Sequence, residues 1–171
     1  MCIRDRHKFG YVEGLQIQSA VQIVRKLVEN ISKNGNLCLN ISPKSDGTIP
    51  ADQQEVLREI GHWMKMNGEA IYGTRSWMHF GEGKNIVDHP SDIDWRFTQK
   101  GKNILYAYLL KWESGKVIIH SFNTLTVGMI KKVSLLGYKG EIPFQQTEQG
   151  LELTLPTKSP NKYVAVVKVV L

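Results

Sequence analysis

Apolar residues near the start of the chain recur at helical spacing: Ile17, Ala20, Val21, Val24, Leu27, Val28 and Ile31. A single stripe of this kind predicts an amphipathic helix with one buried face. Asn34-Gly35 ends it, with glycine available for a left-handed cap. The nearly unbroken apolar run Asn36–Ile41 follows, and predicts a parallel strand covered on both faces. A second helix opens at Pro50-Ala51-Asp52, where proline fits the first turn and the acid meets the positive helix end. Its stripe is Val56, Leu57, Ile60, Trp63 and Met64, and Asn67-Gly68 stops it. Helix, strand and helix make one slice of a βα architecture. A lone strand leaves both edges unpaired, so neighbouring strands are expected upstream and the sequence reads as truncated.

The pattern changes after about Tyr72. Short apolar or alternating runs appear at Trp95–Thr98, Ile104–Leu110, Lys116–His120, Ile130–Leu136, Glu141–Gln145, Leu151–Leu155 and Tyr163–Val169. Turn signals separate them, among them Lys100-Gly101-Lys102-Asn103, Ser114-Gly115 and Gln149-Gly150. Regularly spaced strands without helical period predict an antiparallel β-sandwich. The glycines, Pro90 and acids between Phe80 and Asp94 read as a linker. The division expected is residues 7–75 for the α/β part, 76–94 for the linker and 95–171 for the sandwich. Residues 1–6, charged but without a following apolar stretch, fit no secretory signal and read as a non-native scar.

Composition narrows the function classes. With 171 residues and 42% apolar content the chain can build a core, and no apolar run is long enough to cross a bilayer, so no membrane partner is expected. The net charge of +6 raises the question of nucleic acid. Ten Lys/Arg face eight Asp/Glu in residues 1–80, and twelve face eight in residues 81–171, with no basic block beyond the pairs Arg25-Lys26 and Lys131-Lys132. Scattered lysines on a β-rich surface are solubilising charges, so no nucleic-acid partner is expected. Two cysteines build neither a disulfide framework nor a zinc site, and Cys38 reads as a small buried apolar residue. His79, His89 and His120 lack metal-ligand spacing, and no phosphate-binding glycine loop is present.

The stretch "SKNGNLCLNISPKSDGTIP", residues 32–50, with "NGEAIYGTR" at 67–75, resembles the end of the catalytic barrel of the α-L-fucosidases, glycoside hydrolase family 29. "FGYVEG" at 9–14 resembles that family's aromatic-Gly-Tyr loop. "DWRFTQKGKNILYAYLLKW" and "VSLLGYKGEIPFQQTEQGLELTLP" are similar to its C-terminal sandwich. Phe9 stands where tryptophan is usual, Cys38 where leucine is usual and Ser42 where glycine is common. The resemblance implies an α/β plus all-β chain, namely the terminal βα units of a (β/α)8 barrel followed by an antiparallel β-sandwich. Asn36–Ile41 becomes the last barrel strand. The loops His7–Gly14 and Ser42–Pro50 then lie on the rim where such barrels carry their active sites.

The implied activity is retaining hydrolysis of terminal α-L-fucose from glycans, with no cofactor and no metal. That chemistry needs two carboxylates about 5–5.5 Å apart, a nucleophile and an acid/base. The resemblance places the nucleophilic aspartate on an earlier strand and the acid/base, usually a glutamate, on a loop before the aromatic-Gly-Tyr segment, both upstream, so the chain alone is expected to be inactive. Glu13 is the one carboxylate on a plausible catalytic loop and is the candidate acid/base; its plainer reading is a loop acid stabilising a helix N-terminus. Phe9 and Tyr11 either line the sugar pocket or pack their loop onto the barrel. Asn40 and Asp46 either face the site or orient the loops by hydrogen bonds, and Asp46-Gly47 is an ordinary turn signal. Trp63, Trp77, Trp95 and Trp112 are expected in the barrel–sandwich interface and the sandwich core. The expected partners are a fucosylated glycan and the upstream part of the barrel; an oligomer is compatible, and the family implies a secreted, periplasmic or lysosomal setting. The rivals are a carbohydrate-binding module, which a row of exposed aromatics on one sandwich face would favour, and a structural domain that caps the barrel.

Overall fold

A computed structural model of the chain describes residues 11, 13–14, 16–83 and 94–171. The first helix, α1 (Ala20–Ser32), is fixed at its start by a capping box. Ser19 Oγ accepts from the Gln22 amide at 3.3 Å, and Gln22 Oε1 accepts from the Ser19 amide at 2.9 Å, which satisfies two otherwise unpaired donors. At its end Asn34, rather than Gly35, takes the left-handed conformation, φ 61°. Asparagine tolerates that region because its short amide bonds locally. Gly35 is favoured for a different reason, since a Cβ there would lie 3.1 Å from the Asn30 carbonyl oxygen, a tight contact. Helix α2 (Ala51–Asn67) follows Pro50 as the sequence predicts and runs into a single 3-10 turn, Gly68–Ala70.

The segment between the helices departs from expectation. Residues 35–41 are extended but form no ladder, and Asn40 alone occupies an isolated bridge. Leu37, Leu39 and Ile41 pack against Ala20, Ile23 and Val56 of the two helices. Asn36, Cys38 and Asn40 alternate with them and are exposed. A strand is held by its neighbours' hydrogen bonds, and beyond that single bridge no ladder flanks this one among the described residues, so only its helix-facing side is buried. Cys38, expected inside, is therefore on the surface.

Among the described residues eight strands follow: β1 (Arg75–Glu82), β2 (Trp95–Lys100), β3 (Ile104–Leu109), β4 (Gly115–Ile119), β5 (Lys132–Leu135), β6 (Phe144–Thr147), β7 (Gly150–Leu155) and β8 (Ala165–Val170). A short helix, α3 (Thr124–Val127), follows β4. The strands pair in two antiparallel sheets, β1-β2-β3-β8-β5 and β4-β7-β6. Strand β1 corrects the linker expected over 76–94. It is an edge strand, bulged between Ser76 and Gly81, and its Trp77 is buried in the sandwich. Glycines disguised it. A Cβ on Gly81 would sit 2.2 Å from the Trp95 carbonyl oxygen, so glycine is what lets β1 and β2 approach. Residues 84–93 of the same stretch, and the scar expected at 1–6, lie outside the described residues.

The larger sheet is apolar on both faces. Trp95, Phe97, Leu105, Ala107, Leu109, Val167 and Val169 point to the smaller sheet, and Trp77 meets Phe97 and Phe122 there edge to face. The alternate residues Tyr106, Tyr108, Val164 and Val166 point the other way, against Val24 and Val28 of α1 and Trp63 of α2. Each large apolar side chain so buried contributes roughly 1.5–3 kcal/mol relative to exposure. The order of layers is helices, five-stranded sheet, three-stranded sheet. Of the four tryptophans, Trp63 lies in the helix–sheet layer, Trp77 and Trp95 in the sandwich, and Trp112 packs half-buried against it, as expected.

Candidate active-site rim

Loop 42–50 leaves the C-terminal end of the extended segment and is tied within itself and at both ends. Inside it, Lys44 N–H donates to the Thr48 carbonyl at 2.8 Å and Gly47 N–H to the Lys44 carbonyl at 3.0 Å. Asp46 Oδ1 accepts from Thr48 twice, from the amide at 2.9 Å and from the hydroxyl at 2.7 Å. The Thr48 hydroxyl, then its amide, hold the Asp46 carboxyl below the usual range. Gly47 takes φ 82°, which the turn needs and glycine supplies without strain. At the far end, Gln54 Nε2 donates to the Ile49 carbonyl at 2.7 Å.

The near end is held by a side chain that the reading of the stripe overlooked. Gln53, buried in the first turn of α2, accepts from the Ser42 amide through Oε1 at 2.9 Å and donates from Nε2 to the Ser42 carbonyl at 3.3 Å. One signal was available in the sequence: stepping back three residues from Val56 along the apolar stripe lands on Gln53, a polar residue in a core position.

The candidate residues fall into two groups. Tyr11, exposed, lies with its ring 6.0 Å from Lys44 Nζ, so the first loop meets the second. Asn40 is exposed on the uncovered side of the extended segment, and Cys38 Sγ approaches its Oδ1 at 3.8 Å. Glu13 sits exposed in a turn upstream of α1, and the α1 cap is made by Ser19 and Gln22 instead. Phe9 lies outside the described residues. Asp46 bonds within its own turn, and Asn40 within its own extended segment.

Other hollows lie elsewhere. A cleft of about 800 Å³ is bounded by Leu27, Asn34, Asn36, Tyr72 and Arg75, at the N-terminal end of the extended segment, away from loop 42–50. A shallow depression of about 230 Å³ on the smaller sheet is lined by Lys116, Phe144, Gln145, Glu152 and Thr154. The outward residues of β4 and β7 are Lys116, Ile118, Glu152 and Thr154, and Phe144 stands alone at the edge. The other outward sheet face is covered by helices. No row of exposed aromatics occurs on either face among the described residues, so the mark of a carbohydrate-binding module is missing. Among the described residues no three of His, Cys, Asp and Glu gather as metal ligands do.

Comparison with known proteins places this architecture. Residues 1–69 match the family model for α-L-fucosidase, and residues 90–170 match that for the α-L-fucosidase C-terminal domain. The chain is 34% identical over 162 residues to rat plasma α-L-fucosidase, covering 91% of this chain and 33% of that protein. It is 30% identical over 172 residues to α-L-fucosidase of Dictyostelium discoideum, covering 95% of this chain and 35% of that protein. Among solved structures, Thermotoga maritima α-fucosidase in complex with a mechanism-based inhibitor superposes with a TM-score of 0.82 at 31% identity, over 99% of this chain and 38% of that one. Isoenzyme 1 of Paenibacillus thiaminolyticus gives a TM-score of 0.79 at 30% identity, over 99% and 38%. The chain spans about a third of the length of the curated relatives it matches.

Proposed function

The chain belongs to the α-L-fucosidase family, and from that premise we propose that the whole protein is a retaining α-L-fucosidase acting on terminal α-L-fucose of glycans. In it, residues up to about Thr74 supply the last βα elements of the catalytic barrel, and the strands from Arg75 onward form a sandwich that braces them. The observation that carries this reading is the one-sided segment Asn36–Ile41 leading into a tied loop. Its helix-facing residues are packed as in a finished barrel wall, and its other side presents Asn36, Cys38 and Asn40 to where a barrel interior belongs.

Retention requires a nucleophile and a separate proton donor on opposite sides of the sugar. Asp46 does not suit the proton-donor role, because both Thr48 donors stabilise its charged form, and the same two bonds commit its Oδ1 to the turn. Both the nucleophile and the usual acid/base, a glutamate on a loop before residues 9–14, then come from the rest of the barrel, with Glu13 the alternative proton donor on the rim. Tyr11 offers an aromatic face for the methyl side of fucose, with Lys44 fixing its loop. The experiment is to follow hydrolysis of an aryl α-L-fucoside by the whole protein with proton NMR. α-L-fucose as the first-formed anomer supports the reading, and β-L-fucose as the first product contradicts it.

A further inference from the structure

We propose that Gln53 is a positioning residue for the sugar site, setting the direction in which the last barrel strand leaves the barrel and enters loop 42–50. The proposal rests on the fucosidase reading of the whole protein. Gln53 bonds both the amide and the carbonyl of Ser42, at 2.9 and 3.3 Å, as a neighbouring strand would, so a side chain closes the ladder that the backbone leaves open. The pairing also fixes the amide orientation, since one oxygen must accept and one nitrogen must donate. Ser42 is itself buried, which gives the contact a low-dielectric setting where both bonds count.

The position matters more than the bond count. Ser42 lies two residues after Asn40, whose side is uncovered, and four before Asp46. Gln54, the next residue of α2, holds Ile49 at the opposite end of the loop. Two consecutive glutamines in the first turn of one helix thus grip the loop at both feet. Glutamate could not replace Gln53, because its carboxylate would accept from the Ser42 amide and repel the Ser42 carbonyl.

The test uses the whole protein and two substitutions, each of which breaks buried side-chain bonding of α2. Gln53→Met keeps the shape and removes both bonds, whereas Trp63→Phe weakens the helix–sheet layer far from the loop. With Gln53→Met, amide exchange over residues 40–49 should become about 30-fold faster, the factor that two lost hydrogen bonds correspond to. The kcat/KM on p-nitrophenyl α-L-fucoside should fall by about 10- to 100-fold. Trp63→Phe should lower Tm and leave kcat/KM unchanged. Should Gln53→Met fail to fold, Gln53→Ala, which also removes both bonds, should show the same pair of effects. Unchanged exchange in both Gln53 variants overturns the grip, and faster exchange with unaltered kcat/KM overturns the positioning role. A wild-type protein inert on the fucoside overturns the fucosidase reading instead, and this role with it.

Discussion

The indole N–H of Trp63 donates to the carbonyl oxygen of Val164 at 2.8 Å, joining α2 to the strand segment that opens β8 across 101 residues of sequence. The ring around that bond lies in the core shared by Val24, Val28, Tyr108 and Val166. Helices and larger sheet therefore bury one apolar layer in common, and Lys162 pairs with Glu59 and Lys168 with Glu69 along its margin. Trp63→Phe keeps most of the apolar surface and orphans a buried carbonyl, which costs about 1–3 kcal/mol. Denaturant unfolding should lose helical and aromatic signals together in one transition. Helical signal disappearing first, with the sandwich intact, would contradict a shared unit.

A second joint is ionic. Arg96 on β2 is fully buried and pairs with Glu29 of α1, which also pairs with the more exposed Lys33. Arg96 donates besides to the Trp95 carbonyl at 2.7 Å, and the Phe80 ring lies 5.8 Å from its guanidinium carbon. Removing the acid strands a buried cation, whereas removing the cation leaves only a partly exposed carboxylate. Glu29→Ala should therefore cost about 3–5 kcal/mol, and Arg96→Met clearly less. Urea midpoints for the two variants decide it; equal losses would refute the asymmetry.

Buried phenols make the same layer sensitive to alkali. Burial, and then the Glu69 carboxylate, push the Tyr106 phenol up to about 12. Burial also drives Tyr108 upward, with its hydroxyl shared between Thr98 and the Ala70 carbonyl. An unfolded tyrosine ionises near pH 10, so below about pH 10 both states hold the proton and the stability is fully present. Between about pH 10 and 12 only the unfolded chain releases it, and stability falls as pH rises through that window. Tyr106→Phe should reduce the slope of that fall in urea titrations from about pH 9 upward. A slope equal to wild type would show that Tyr106 ionises as freely folded as unfolded.

The uncovered side of the extended segment makes a chemical prediction. In the chain alone the Cys38 thiol is exposed, and in a Cys2→Ser background it should react readily with maleimide. In the whole protein the remaining barrel strands should cover it and slow labelling strongly. Equal rates in the two forms would mean that this side does not face a barrel interior.

Much of this was legible in the sequence. The runs Ile104–Leu110 and Tyr163–Val169 lack clean alternation because β3 and β8 are buried on both faces. Leu151–Leu155 alternates because β7 has one wet face. Residues 36–41 failed the same rule: their apolar residues alternate with Asn36, Cys38 and Asn40, and counting Cys38 as buried hid the period of two. Strand β1 was missed because Gly81 and Gly83 mimic a linker, while its one core residue, Trp77, precedes them. At the rim, turn chemistry announced Asp46 and Gly47, but the grip of Gln53 depends on a bond across 11 residues that no local pattern encodes.

The most direct test of the account is the activity of two forms side by side, the whole protein and residues 1–171 alone, on p-nitrophenyl α-L-fucoside. The account predicts release of p-nitrophenol by the whole protein and none by the chain alone, whose described residues supply a rim and a brace without the nucleophile. A whole protein inert on this substrate, or a chain that cleaves it unaided, would contradict that division of labour.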